Sequence, residues 1–138
     1  MQIQVPRTLR IGPITYRILL VEGFSAYNLG GGRDCRIPYS GIPVILINVE
    51  HVPFWQQLTF LHEIEHAIRH SYDGLHEQEE EPCERHCQGM MDLFMGLDIE
   101  LDWSQVPITR TEHPPTGDWS SLVMVNDPVG EYTPGEVV

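Results

Sequence analysis

The sequence predicts an α+β domain in which a small twisted β-sheet precedes two helices. Three observations carry that expectation. Short β-branched and aromatic runs, separated by Gly and Pro, fill the first half. From residue 54 onward apolar residues recur at helical spacing. Each of the two helical stretches has a proline where a first turn tolerates one.

The first run is Thr8 to Ile11, separated by Gly12-Pro13 from Ile14 to Val21, which reads as a hairpin. Phe24 to Asn28 is a further candidate strand. Gly30, Gly31 and Gly32 mark a turn or a close backbone approach. Cys35 to Tyr39 reads as an edge strand, because Pro38 has no N–H to give to a central ladder. Val44 to Asn48 is a compact apolar strand bounded by Pro43.

The period changes at Pro53. Phe54, Leu58, Leu61, Ile64 and Ile68 define one stripe of a helix ending near His70, with Asp73-Gly74 as its stop. A second helix is expected from Glu80 or Glu81 to Leu97. Its stripe is Cys83, Cys87, Met90, Met91, Phe94 and Leu97, and Pro82 sits in its first turn. These elements make residues 1–101 the expected domain. Residues 102–138 are rich in Pro, Gly, Ser, Thr and Asp and read as a partly irregular C-terminal segment, packed on the domain or flexible, with Ser121 to Val125 its one candidate strand.

Composition narrows the function. At 138 residues and 41% hydrophobic content, the chain can bury a core without disulfides. Its 20 acidic residues against 8 basic ones give a net charge of -12, which disfavours a nucleic-acid partner or an anionic membrane surface. It contains no apolar run of transmembrane length. Met1 to Pro6 lacks the apolar stretch of a secretory signal, so Cys35, Cys83 and Cys87 are read as reduced thiols of a cytoplasmic protein.

The chemistry concentrates at His62-Glu63-Ile64-Glu65-His66, an H-E-x-x-H inside the first helix. Residues four apart on a helix are separated by about 400° of rotation, so both imidazoles leave nearly the same side. That spacing suits a shared Zn²⁺ held by His62 and His66. Glu63 stands where it can take a proton from the activated water as general base. The competing account is a solvated His/Glu helix, but the motif's apolar flanks speak against it.

Two imidazoles need a third ligand. The metzincin extension is excluded because positions 69 and 72 are Arg69 and Tyr72, not Gly and His. Extending the second helix's stripe backward from Cys87 and Cys83 reaches Glu80, with Glu84 beside that face as runner-up. Glu81 precedes Pro82, which biases it away from helical geometry. A rival set of Cys83, His86 and Cys87 lacks a fourth ligand, and cysteine on an apolar stripe ordinarily packs as a small hydrophobe. Tyr39, Tyr72 and His86 are candidate donors to a tetrahedral oxyanion.

With Leu61 to Ala67 followed by Glu80, Cys83 and Cys87, residues 8–98 resemble the small gluzincin-type zinc metallopeptidases of the ImmA/IrrE family, often encoded by phages and mobile elements. The resemblance implies a zincin-like fold, zinc ligands His62, His66 and Glu80, and Glu63 as catalytic acid/base. It further implies endopeptidase activity on a protein or peptide substrate. In this reading Val44 to Asn48 is the edge strand beside the cleft. The alternatives are a catalytically silent zinc-binding module and a metal-free acidic interaction or inhibitor protein.

Overall fold

The computed structural model describes residues 1–22, 32–35, 44–73, 80–111 and 122–130, with the backbone alone described at 32–35, 70, 73, 80, 111 and 122. Its organising element is β3 (Ile14–Glu22), the longest strand. Ile18, Leu19, Leu20 and Val21 are all buried, so the strand is covered on both faces. A strand of that kind reads as a continuous apolar run with no alternation.

Neighbouring strands attach to β3 in a fixed register. β2 (Thr8–Ile11) pairs antiparallel with its first half through the Gly12 turn. β5 (Val44–Asn48) and β7 (Ile108–Thr111) flank its second half, both parallel to it. β4 (Gly32–Cys35) lies antiparallel outside β5, and β8 (Leu122–Asn126) antiparallel outside β7. The order is therefore β4-β5-β3-β7-β8. A separate two-stranded parallel pair joins β1 (Gln2–Gln4) to β6 (Glu100–Asp102).

One expectation changes here. Val44 to Asn48 is no edge: β5 lies between β4 and β3, and all five of its residues are buried. Among the described residues β4 ends the sheet on that side. The sheet also takes in part of the C-terminal segment beyond residue 101. β7 pairs directly with the central strand, and Leu20 N–H donates to Pro107 O at 2.9 Å. Arg7 holds this end closed through Asp127, with Nη1–Oδ1 at 2.7 Å and Nη2–Oδ2 at 2.9 Å. The candidate strands at 24–28 and 36–39 and the Gly74 stop lie outside the described residues, whereas Ser121 to Val125 is matched closely by β8.

Two helices follow β5. α1 (Pro53–Ile68) runs into a π-helical turn at Arg69–Asp73, and α2 (Glu80–Gly96) packs against α1. Proline occupies the first turn of α1, where its missing N–H has no helical partner to lose. α2 ends in a Schellman closure: Ile99 N–H donates to Phe94 O at 2.8 Å and Asp98 N–H to Met95 O at 3.1 Å, with Asp98 at φ 55°.

α1 is buried on two sides, not on one stripe. Phe60 and Ala67 join the sheet core of Tyr16, Ile18, Leu20, Ile45 and Ile47. Leu58 and Leu61 join Cys87 and Met91 of α2. The ends of the expected stripe, Phe54 and Ile68, are exposed. On α2, Cys83, Cys87 and Met91 are buried as expected, but Met90 and Leu97 are exposed.

Candidate metal centre

The site's position is set by two buried glutamines at the start of α1. Gln56 Nε2 donates to Asn48 O at 3.1 Å and Val49 O at 3.2 Å, tying the helix to the end of β5. Gln57 Nε2 donates to Ile99 O at 3.3 Å, and its Oε1 accepts from Leu101 N–H at 3.2 Å. The second pair ties the same turn to the segment beyond α2. Buried polar groups of this kind are stable only when hydrogen-bonded, and these are.

Two turns further along α1, His62 and His66 converge. Their Nε2 atoms face each other at 3.0 Å. Two nitrogens held tetrahedrally by one zinc at 2.0–2.1 Å stand about 3.3 Å apart. The pair is thus close to the spacing one ion requires, before any rearrangement. His66 is buried and His62 is half-buried. Glu63, one residue on from His62, is itself buried, three residues after Phe60 and four before Ala67, on the sheet side of the helix.

The outer nitrogens of both rings meet sulfur. Cys83 Sγ lies 3.4 Å from His66 Nδ1, and Cys87 Sγ 3.7 Å from His62 Nδ1. Cys87 donates its S–H to Glu84 O at 3.2 Å. Burial pushes the Cys87 thiol above its ordinary value of 9.0, and the nearby charges of Glu84 and Glu65 push the same way. At neutral pH this sulfur is a neutral thiol.

Glu65, the residue before His66, bridges the two helices on the outer side. Its Oε1 lies 2.6 Å from His86 Nδ1 and 3.3 Å from Arg69 Nε. His86 is exposed, so this contact forms at the rim of the helix pair.

The sequence-expected residues are placed as follows. His62 and His66 come together, with Glu63 adjacent in the chain. Glu80 opens α2 one turn ahead of Cys83, and its side chain lies outside the described residues. Glu84 is exposed, and among the described residues no third His, Cys, Asp or Glu completes a metal-holding group with the two imidazoles. His86 pairs with Glu65. Tyr72 is exposed at the π-helical turn beside Gly12, and Tyr39 lies outside the described residues.

Reading the cysteines only as small hydrophobes missed half of their role. They do pack in the apolar interface, but they also touch the imidazoles. The signal was present in the spacing: 62/66 and 83/87 are both i, i+4 pairs, so two packed helices can match them rung for rung. The Glu65–His86 bridge carried no comparable signal.

No family model, curated protein or solved structure matches this chain. No helix among the described residues is long and apolar enough to cross a membrane.

Proposed function

We propose that this chain is a zincin-like, metal-dependent endopeptidase acting on a protein or peptide substrate. The observation that carries the reading is the 3.0 Å approach of His62 Nε2 and His66 Nε2 on consecutive turns of a helix fixed at both faces. Imidazole nitrogens at that spacing fit Zn²⁺ and, by ligand type, other borderline divalent ions. Glu80 is the third ligand in this reading, by its register at the head of α2 on the face that leads to Cys83 and Cys87. When bound, the ion supplies Lewis acidity at the imidazole pair.

The chain's own groups do the rest. Glu63 takes a proton at its carboxylate from the attacking water and returns it to the leaving amine, the role of a positioned general acid/base. Its location between Phe60 and Ala67 keeps its backbone anchored on the sheet side, so its reach is set by one side chain and not by a loop. The Glu65–His86–Arg69 bridge holds α2 against the motif turn. β4, which packs on α1 and ends the sheet among the described residues, offers a backbone edge to an extended peptide.

The test pairs two variants. Glu63→Gln retains metal and loses peptide hydrolysis by about 10²–10⁴-fold, the ordinary contribution of a general base. His66→Ala loses both metal and hydrolysis. Full activity in Glu63→Gln on the same peptide library would overturn the mechanism, and retained metal without hydrolysis in the unaltered chain would leave a binding module.

A further inference from the structure

The geometry points to Cys87 as a positioning residue that fixes the tautomer of His62, an inference that rests on the metal-site reading above. A neutral imidazole carries one N–H, and its other nitrogen is then the acceptor that can ligate an ion. Which nitrogen holds the proton is decided by what the outer one faces. Here each outer nitrogen faces a thiol: Cys83 Sγ at 3.4 Å from His66 Nδ1, and Cys87 Sγ at 3.7 Å from His62 Nδ1.

At Cys87 the proton count is explicit. A thiol has one S–H, and that of Cys87 is given to Glu84 O at 3.2 Å. The sulfur therefore turns lone pairs toward His62, so His62 Nδ1 carries the hydrogen and Nε2 is left as the acceptor. His62 Nε2 is then the acceptor of the 3.0 Å contact, with His66 Nε2 as its donor, and it is the His62 nitrogen placed to ligate an ion.

The choice of sulfur follows from the packing. Ligating histidines usually give their outer N–H to a carboxylate or carbonyl. At this interface the acceptor must also sit among Leu58, Leu61 and Met91. A carboxylate there would bring an unpaired charge into an apolar cluster. A thiol is small and apolar enough to pack, and its lone pairs still accept.

The experiment uses the full chain, stripped of metal and titrated with Co²⁺ against a competing chelator. Cys87→Val keeps the apolar volume and removes the acceptor, and it binds Co²⁺ about 10–100-fold more weakly. Cys87→Ser restores an acceptor and returns affinity to within a few-fold of the unaltered chain. The cobalt spectrum shows no thiolate-to-metal charge-transfer band, since sulfur is not a ligand. Nitrogen-15 shifts of the metal-free chain place the His62 proton on Nδ1, a readout that stands even where a valine variant fails to fold.

Unchanged affinity in Cys87→Val would overturn the inference. So would a thiolate-to-cobalt band, which would make the sulfurs ligands themselves, or a His62 proton on Nε2. If the unaltered chain takes up no Co²⁺ at all, the metal-site reading fails separately from the tautomer assignment, which the metal-free spectrum still decides.

Discussion

The two buried faces of α1 solve different problems. The sheet face, with Phe60 and Ala67 packed on Tyr16, Ile18, Leu20, Ile45 and Ile47, is close-packed hydrocarbon that fixes where the helix lies. The α2 face carries Leu58 and Leu61 and then His62 and His66, whose outer nitrogens touch sulfur. The sheet face anchors the helix and also carries the buried Glu63; the α2 face holds the two imidazole rings against sulfur. A helix in the middle layer can do both because the 3.6-residue repeat sends 60, 63 and 67 one way and 58, 62 and 66 the other.

The largest expected effect breaks the sheet face. Phe60→Ala removes a buried ring that meets Trp103 edge-on at 5.3 Å between centroids. It costs about 3–5 kcal/mol in urea unfolding, and metal uptake falls with the fold. A stability loss below 1 kcal/mol would show that this face does not anchor the helix.

Next is the turn that braces the far end of α1. Gly12 has φ +61°, and a Cβ there would lie 2.8 Å from Ser71 Cβ, where Ser71 Oγ–H donates to Ile11 O at 3.1 Å. Gly12→Ala is expected to lower stability by about 2 kcal/mol through strain and displacement of the π-helical turn. An unchanged unfolding midpoint would mean that the hairpin does not support the helix end.

The α2 face has a pH signature. Because the folded Cys87 pKa lies above its unfolded value of 9.0, the thiol form is favoured by folding. Its contribution is fully present below pH 9 and is lost as pH rises through the folded value. Stability should therefore decline above about pH 9, with a shallower decline in Cys87→Val. Identical alkaline profiles would assign the decline to other groups.

The smallest effect lies outside both faces. Arg85→Ala removes an exposed i, i+4 contact to Glu81 and should change stability by less than about 0.5 kcal/mol. A larger change would give α2 a constraint beyond its contact with α1.

Much of this arrangement is legible in the sequence because it is local. The helix beginning at Pro53, the second from Glu80, the hairpin across Gly12 and the convergence of His62 and His66 all follow from periodicity and spacing. What escaped was non-local or too short to show a period. β1 has three residues and β7 four. β7 earns its central place by pairing with residues nearly ninety positions earlier, which no local window contains. Val44 to Asn48 resembled an edge only through its position before the motif helix, whereas five consecutive buried residues mark an interior strand. Gln56 and Gln57 are polar in the sequence and buried in the fold because their partners are backbone groups outside the helix, at the end of β5 for Gln56 and beyond α2 for Gln57.

The central claim is that His62 and His66 hold one divalent ion between their Nε2 atoms. Elemental analysis of the full chain purified without added metal, beside His62→Ala, tests it most directly. The account predicts close to one equivalent of zinc or a similar ion in the unaltered chain and essentially none in the variant. Equal metal content in the two, or none in a correctly folded unaltered chain offered zinc, would contradict it.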